Sequence, residues 1–193
     1  MQKYSRNSRI SAITKILIEN PHKIMSLNYF SEMLNAAKST ISEDILVIRE
    51  VLEAMDMGRV ETIAGATGGV RYLARMGTAE EEAFAEKICE TLRDRSRIVP
   101  GNFLYITDIM LDPTIVHKAG IILASKFAKA KADYIITVET KGIPLAYEVA
   151  RYLGVPLIVA RKNAKVTEGT SVTINYVSGT TGRLGNMGLA KRT

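Results

Sequence analysis

The chain has 193 residues, carries 26 Lys+Arg against 20 Asp+Glu for a net charge of +6, and is 47% hydrophobic. That apolar fraction argues against a disordered chain, and the length suits one large domain or two modest ones. The polar, basic start excludes a secretory signal, and the apolar runs are far shorter than the ~18 residues of a membrane span. The only cysteine, Cys89, excludes an internal disulfide, so we expect a cytoplasmic protein without a membrane partner.

The charge is unevenly distributed along the chain. Lys3, Arg6, Arg9 and Lys15 precede the first acidic residue, and residues 98–193 have twelve basic residues against six acidic ones. The acidic segment 77–97 separates these two basic zones. Polyanions are therefore the expected partners, with nucleic acid for the front zone and a phosphorylated small molecule for the back zone.

Hydrophobic spacing predicts three helices at the front of the chain. Apolar residues recur every three or four positions over about 8–19, over Leu27 to Leu34 and from about Lys38 to Ala54. Pro21 ends the first of these segments. A short helix, a brief turn and a longer helix match the helix-turn-helix layout, in which the N-terminal residues of the second helix of the pair enter the major groove.

A predicted β-hairpin follows the three helices. Its strands are Gly58 to Ala64 and Val70 to Ala74, and the glycine-rich loop Gly65 to Gly69 joins them. Three helices followed by a hairpin is the order of a winged helix, and the hairpin would be the wing. Arg59 and Arg71 would then reach phosphate or the minor groove.

Polar and basic residues of this first domain, residues 1–75, are the candidate DNA contacts. They are Lys3, Arg6, Arg9, Lys38, Ser39, Thr40, Ser42, Arg59 and Arg71. Two other interpretations stay open. Ser39 and Ser42 are expected to cap the third helix, and the basic residues also suit a solvated face. Winged helices moreover serve as protein-interaction modules.

Residues 76–97 are predicted to form a linking helix with one apolar face. Cys89 lies near that face, so we expect it to be a small buried hydrophobic residue. Arg93, Arg95 and Arg97 follow, and we interpret them as exposed cations that complement the helix dipole.

Strands and helices alternate in the last region, residues 98–193. The predicted order is a strand at Phe103–Thr107, a helix at Pro113–Ala132, a strand at Tyr134–Val138, a helix at Ile143–Leu153 and a strand at Pro156–Ala160. The later two strands are rich in β-branched and apolar residues and show no polar alternation, so we expect helices to cover both of their faces. Such a strand, helix and strand form the parallel crossover of a doubly wound α/β domain, whose ligands lie beyond the carboxyl ends of the strands.

The loop at that edge contains Thr140, Lys141 and Gly142, directly before a helix with Pro144 in its first turn. Free backbone N–H groups and the lysine there suit a phosphate or pyrophosphate. A plain strand-to-helix turn explains the same residues equally well. The polar stretch that begins at Arg161 leads into a strand from Ser171 and a glycine-rich turn, a hairpin that would serve as a lid.

Two sets of motifs resemble the family of purine operon repressors of Gram-positive bacteria, and together they span nearly the whole chain. The set in the second half is Thr137 to Ala146, Val155 to Lys162, Lys165 to Gly169 and Ile174 to Gly179. The set in the front half is Phe30-Ser31, Ala37 to Ser39, Glu43-Asp44 and Gly65 to Gly69.

This resemblance implies an α/β protein in which a winged helix-turn-helix precedes a domain similar to a type I phosphoribosyltransferase. The family represses purine genes from operator DNA as a homodimer, is released by phosphoribosyl pyrophosphate, and is not known for transferase activity. Thr140, Lys141 and Gly142 would then form the pyrophosphate loop, and Arg161, Lys162 and Lys165 would lie in a flexible loop over the effector. No catalytic residue, cofactor or metal is implied.

One departure from the family's pattern concerns the ribose 5-phosphate loop, which begins with two adjacent acidic residues in type I phosphoribosyltransferases. No adjacent acidic pair occurs after Glu82. We therefore expect a sequence that is truncated at its C-terminus, with an incomplete sheet and effector site. The alternative function is a purine phosphoribosyltransferase, which would require a catalytic residue and a base-binding hood that the sequence does not identify.

Overall fold

The computed structural model describes residues 3–65, 67–162 and 169–190. The front elements are α1 (Arg6–Glu19), α2 (Leu27–Leu34), α3 (Lys38–Ala54), β1 (Arg59–Ile63), β2 (Gly69–Leu73) and α4 (Thr78–Arg93). After a 3-10 turn at Arg95–Arg97 come β3 (Ile98–Val99), β4 (Phe103–Leu104), α5 (Thr107–Leu111), α6 (Pro113–Phe127), β5 (Ile135–Val138), α7 (Ile143–Leu153), β6 (Leu157–Ala160), β7 (Ser171–Val177) and β8 (Leu184–Ala190).

The three helices and the hairpin of the front domain enclose one hydrophobic core. Its buried residues are Ile13, Leu17, Met25, Phe30, Leu34, Ile41, Ile45, Ile48, Leu52, Val60, Val70 and Tyr72. Helix α1 begins at Arg6, two residues earlier than the hydrophobic spacing predicts. Ser5 precedes the helix, and its side chain accepts a hydrogen bond from the Ser8 amide at 3.2 Å.

The hairpin is attached to the helices by backbone hydrogen bonds. β1 and β2 are antiparallel, with Arg59 opposite Leu73 and Ile63 opposite Gly69. Met25, in the segment between α1 and α2, exchanges two hydrogen bonds with Val70, at 2.8 and 2.9 Å. This isolated bridge adds a third backbone segment to the hairpin, so the wing shares the core of the helices.

The linking helix α4 has all 16 of its residues exposed or half-buried. The prediction that Cys89 is buried is therefore wrong, because the apolar face of α4 is only partly covered and the thiol is exposed. Two exposed ion pairs join α4 to α6: Lys118 donates to Glu80 and Lys126 donates to Glu81, each at 2.7 Å.

The second half contains the predicted parallel unit. β5 and β6 pair in parallel from Ile135 opposite Leu157 to Val138 opposite Ala160, and α7 connects them. Its buried cluster is small, consisting of Ala124, Val149, Tyr152 and Leu153. The expectation that both faces of the strands are covered is wrong for β5. Ile136 is 62% exposed and Val138 is 53% exposed on the face away from α6 and α7.

Two element boundaries and one arginine side chain in this half also differ from the sequence-based prediction. Only Phe103 and Leu104 of the first predicted strand are extended, because Thr107 already begins α5. Helix α6 ends at Phe127 and does not reach Ala132, since the Ala130 amide folds back to the Phe127 carbonyl at 2.9 Å. Arg97 is held by a specific partner, with two hydrogen bonds to Asp108 at 2.9 and 2.8 Å.

Strands β7 and β8 form the predicted hairpin after β6. Ser171 lies opposite Ala190 and Val177 lies opposite Leu184. Arg161, just after β6, exchanges two backbone hydrogen bonds with Gly188 of β8, at 2.7 and 3.0 Å. The hairpin is thus joined to the carboxyl edge of β6. Over the described stretches, 3–65, 67–162 and 169–190, the chain has no helix long and apolar enough to cross a bilayer.

Candidate functional site

A groove separates the N-terminal half of α3 from the hairpin β1–β2. It has a volume of about 590 Å³, and its walls include Lys38, Ser42 and Arg49 from α3 and Thr62 and Gly65 from the hairpin. These three α3 residues are separated by four and seven positions, so they share one face of the helix. The groove therefore combines a polar helix face with a glycine-rich loop.

The predicted contacts at the start of α3 face solvent. Lys38, Ser39 and Ser42 are exposed, and Thr40 is half-buried. The expectation that Ser39 caps this helix is wrong, because the N-cap residue is Ala37, whose methyl group cannot accept a hydrogen bond. The hydroxyl groups of Ser39 and Ser42 are consequently not used at the helix start.

Arg49 joins α3 to the hairpin and is a residue of the groove that the sequence analysis missed. Its guanidinium donates to the Val60 carbonyl at 2.9 Å and to the Thr62 hydroxyl at 2.6 Å. The charged side chain therefore sets the distance between the two walls of the groove. Its spacing from Lys38 and Ser42 was the sequence signal that could have identified it.

The structure contradicts the prediction that Arg9 is a DNA contact. The side chain of Arg9 is buried, and it donates to both carboxylate oxygens of Asp44 at 2.7 and 3.2 Å and to the Tyr4 carbonyl at 3.0 Å. Asp44 is 1% exposed. Arg9 is thus committed to holding α1 against α3, because a buried carboxylate needs its cation nearby.

Two other basic residues near the N-terminus remain on the surface. Lys3 is exposed, and the side chain of Arg6 is 59% exposed although its Nε lies 3.6 Å from Asp44. Both are placed where a polyanion can approach them. The front domain therefore keeps two of its three predicted contacts near the N-terminus.

The two arginines of the hairpin share one carboxylate. Arg71 donates to Glu61 at 2.8 Å, and Arg59 donates to the other oxygen of the same group. Hydrogen bonds from Arg71 and then Arg59 lower the pKa of Glu61. Arg59 keeps 58% of its side chain exposed, whereas Arg71 keeps 29%. Arg59 is therefore the more accessible of the two predicted wing contacts.

The predicted anion loop lies at the carboxyl edge of the parallel strands, directly before α7. Thr140 and Lys141 are exposed, and Gly142 is the N-cap residue of α7. A Cβ on Gly142 would lie 3.2 Å from the Thr137 hydroxyl oxygen, so a larger residue would crowd β5. The positive end of α7, an exposed lysine and a side-chain-free backbone thus meet in one place, a combination that suits a phosphate.

Arg161 extends this site from the neighbouring strand. Its Nη1 donates to Glu139 at 2.5 Å, and the Glu139 amide donates to the Ala160 carbonyl at 2.9 Å. The ends of β5 and β6 therefore bring Glu139 and Arg161 together next to the anion loop. The sequence analysis missed Glu139. Lys162 is described and exposed, and the predicted contact Lys165 lies outside the described residues.

Comparison with known proteins relates both halves to described families. The family model for the N-terminal domain of the bacterial purine repressor matches residues 5–74, and the model for the phosphoribosyl transferase domain matches residues 108–190. The purine biosynthesis transcriptional repressor PurR of Bacillus subtilis (strain 168) is 45% identical over 190 residues, which cover 98% of this chain and 67% of the repressor. The chain belongs to the PurR family.

The PurR relatives of this chain include proteins named as repressors and proteins named as activators. The purine biosynthesis transcriptional activator PurR of Lactococcus lactis subsp. lactis (strain IL1403) is 40% identical over 187 residues, covering 97% of this chain and 69% of the activator. The family assignment makes this chain a relative of transcriptional regulators of purine biosynthesis, with a DNA-binding domain in front of a domain of the phosphoribosyltransferase type.

Enzymes also match the second half, at lower identity. The xanthine phosphoribosyltransferase of Limosilactobacillus fermentum (strain NBRC 3956 / LMG 18251) is 32% identical over 102 residues, covering 49% of this chain and 52% of the enzyme. Beside this match, the PurR-family relatives extend through the front domain as well. The combination of both halves is therefore what distinguishes this chain from the enzymes.

Proposed function

We propose that the chain represses purine biosynthesis genes in the cytoplasm by binding double-stranded operator DNA through its winged helix. The groove between α3 and the hairpin carries this proposal, because its helix wall presents Lys38 and Ser42 to the exterior. The N-terminal residues of a recognition helix are the ones that contact base edges in the major groove. Lys3, Arg6 and Arg59 would add phosphate contacts around that helix.

The repressor acts as a homodimer in this proposal. Two copies would place two recognition helices on one face of the duplex, and operator half-sites would be separated by about one helical turn, 10–10.5 base pairs, or a multiple of it. Support for a dimer comes from the family resemblance and from the single recognition helix of each chain.

We further propose that phosphoribosyl pyrophosphate binds at Thr140, Lys141 and Gly142 and thereby releases the operator. The exposed ammonium group of Lys141 and the N-terminal amides of α7 suit the pyrophosphate. Arg161 and Lys162 lie on the adjoining segment after β6 and would approach the same ligand from the other side.

Operator binding is tested by fluorescence anisotropy with a purine-operator duplex and a scrambled duplex at several salt concentrations. We expect Lys38→Ala to weaken operator binding by roughly 1–3 kcal/mol if Lys38 contacts a base. A phosphate contact would instead weaken both duplexes alike and reduce the salt slope by about 0.9. The matched control is Lys15→Ala, because Lys15 is 72% exposed in the same domain and pairs with Glu19.

Failure to prefer the operator duplex, or affinity that does not change with salt, would contradict the winged-helix proposal. A protein-interaction role would then be favoured, since the same fold serves that purpose elsewhere.

Effector binding is tested by calorimetric titration with phosphoribosyl pyrophosphate and Mg²⁺. We expect Lys141→Ala to weaken binding at least about tenfold, because it removes a cation that faces the pyrophosphate and such a charge-assisted contact contributes about 1.5–3 kcal/mol. The control is Lys129→Ala, which removes an exposed lysine before β5, at the end of the strand opposite the loop. Equal heats for Lys141→Ala and the unchanged protein would place the effector elsewhere.

The match to a xanthine phosphoribosyltransferase favours one rival, an enzyme that transfers the phosphoribosyl group to a purine base. The same titration distinguishes it when xanthine, guanine, hypoxanthine or adenine is added. Release of pyrophosphate at a steady rate would support the enzyme, and a stable complex without turnover supports the sensor.

A further inference from the structure

The two halves of the chain touch at the C-terminal end of α7. Gly154 ends this helix in the left-handed conformation, with φ of 66°. A Cβ on Gly154 would lie 3.3 Å from His22 Cβ and 3.4 Å from the Pro21 carbonyl oxygen. We define the interdomain contact as Pro21 and His22, from the turn after α1, together with Gly154.

A second residue supports the same contact from the hairpin side. Ala74 follows β2 and packs against the core of the front domain. It also packs against the buried cluster of the second half, which includes Tyr152 and Leu153 from the last turn of α7. One small side chain is therefore shared by the two cores, directly after the wing.

The front side of the interdomain contact is bonded to the wing. The His22 amide donates to the Tyr72 carbonyl of β2 at 2.9 Å, and the Tyr72 hydroxyl donates to the Met57 carbonyl at 2.7 Å. The turn at His22 is therefore joined directly to strand β2 of the wing by a backbone hydrogen bond.

The back side of the interdomain contact belongs to the helix that starts at the anion loop. α7 has 11 residues, from Ile143 to Leu153, so Gly142 and Gly154 at its two ends are about 18 Å apart. Side-chain contacts within the helix stabilise its last turns. The Arg151 guanidinium donates to Glu148 at 2.9 Å and lies 4.2 Å from the centre of the Tyr152 ring.

Close packing against α6 gives the same helix a defined path. A Cβ on Gly120 of α6 would lie 2.5 Å from Glu148 Cβ, so the two helices approach each other closely at this point. Packed helices of this kind move by small shear displacements as whole units. A shear displacement of α7 as one unit would move both of its ends together.

We propose that the interdomain contact couples effector binding to operator binding, with α7 as the rigid connection between the anion loop and the wing. His22 and Gly154 are positioning residues in this scheme, since they touch neither the effector nor DNA. The scheme rests on the proposed function above. In this scheme, a ligand at Thr140 to Gly142 favours one position of α7. The shift of Gly154 then moves His22, whose amide is bonded to Tyr72 of β2, and so changes the position of the wing.

A reversible cross-link tests the coupling within one protein. In a Cys89→Ser background, the pair His22→Cys and Gly154→Cys places two Cβ atoms 3.3 Å apart, so a shift of a few tenths of an ångström brings them into the ~3.5–4.5 Å range of a disulfide. Both positions have positive φ, 61° and 66°, so the oxidised and reduced forms carry the same backbone strain. Operator affinity is measured for each form with and without phosphoribosyl pyrophosphate, and effector affinity is measured directly by calorimetry.

We expect the reduced form to lose operator affinity by at least about fivefold when the effector binds, which is the lower end of ordinary allosteric coupling. In the oxidised form, effector binding persists and the change in operator affinity falls to about twofold or less. A full response in the oxidised form overturns the coupling scheme and leaves the proposed function intact. Failure of the pair to cross-link also overturns it, because the contact would not be populated.

A second variant needs no cross-link. His22→Gly suits the positive φ at this position and removes the side chain that meets Gly154. We expect it to reduce the effector response while each affinity alone changes little. Tyr147→Ala is the control, since this residue is exposed on α7 outside the interdomain contact, and it should respond like the original protein. If the original protein itself shows no effector response, the proposed function and the coupling scheme both fail.

Discussion

The front domain and the second half of the chain hold their elements together in different ways. Twelve buried residues and one buried ion pair close the front domain, whereas the buried cluster of the second half has four residues in the part of the chain that the structure describes. Similar apolar patterns occur in both. A hydrophobic pattern therefore identifies a helix or a strand, whereas the number of elements that pack against it determines how deeply it is buried.

Substitutions of two phenylalanines give the most sensitive test of this difference in burial. Phe30 is fully buried in the front domain, and Phe127 is 52% exposed at the end of α6. We expect Phe30→Ala to lower the free energy of unfolding by about 3–5 kcal/mol, because it leaves a cavity in a closed core. Phe127→Ala should cost less than about 1 kcal/mol. Urea denaturation followed by circular dichroism compares the two variants.

Equal losses for these two variants would contradict the contrast between a closed and an open half. A larger loss for Phe127→Ala would show that a partner covers this surface in solution.

The buried ion pair of the front domain gives the next test. Asp44→Ala leaves the Arg9 guanidinium buried without its carboxylate, and we expect a loss of about 3 kcal/mol or more in the free energy of unfolding. Glu19→Ala breaks the exposed pair with Lys15 and should cost less than about 0.5 kcal/mol. Chemical denaturation measures both losses in the free energy of unfolding, and their ratio reports how completely water is excluded from the α1–α3 contact.

A neutral replacement of both partners sharpens that measurement. Arg9→Met with Asp44→Leu should recover much of the stability lost in Asp44→Ala, because a well-packed apolar pair can replace a buried ion pair. Persistent destabilisation of the double variant would mean that the pair also specifies how α1 meets α3.

The smallest expected effect is a dependence on pH at the boundary between the two regions. Burial, and then the nearby Arg71, lower the pKa of His22 below 6.5, while Glu61 opposes this shift. The unfolded chain therefore takes up a proton first as the pH falls. Stability is complete above about pH 6.5 and declines below it, toward the lower pKa of the folded state.

Thermal melting between pH 7.5 and pH 5.5 measures this decline. His22→Asn tolerates the positive φ of the position and has no titrating side chain, so its melting temperature should change less across that range. A decline of the same size in His22→Asn would assign the proton uptake to another group.

The sequence was sufficient to predict most of the front domain, and less of the second half. The spacing of apolar residues identified α1, α2 and α3, because each of these helices turns its apolar face toward a single core, and the glycine-rich loop identified the hairpin. The same rule failed at Ile136 and at Cys89, where the apolar face meets little or nothing within the described residues. The burial of an element depends on what packs against it, and the spacing of its own apolar residues does not show whether such a partner exists.

For the candidate sites, sequence patterns located the segments better than the individual contacts. The start of α3 and the loop before α7 lie where the motifs predicted them. Arg9 looked like a free cation because its carboxylate partner, Asp44, is 35 residues away in the chain. Glu139 and Arg161 likewise meet only because two parallel strands end at the same edge. Charge pairing over such distances follows from the fold and not from neighbouring residues.

The attachment of α4 affects how the salt dependence of DNA binding will be interpreted. Its pairs with α6, Glu80 to Lys118 and Glu81 to Lys126, lie on the surface, so dissolved ions screen them. The ions that displace the protein from a nucleic acid would thus also free the linking helix. A salt titration of Glu80→Gln with Glu81→Gln separates the two contributions, and the difference in slope gives the share that belongs to the linking helix.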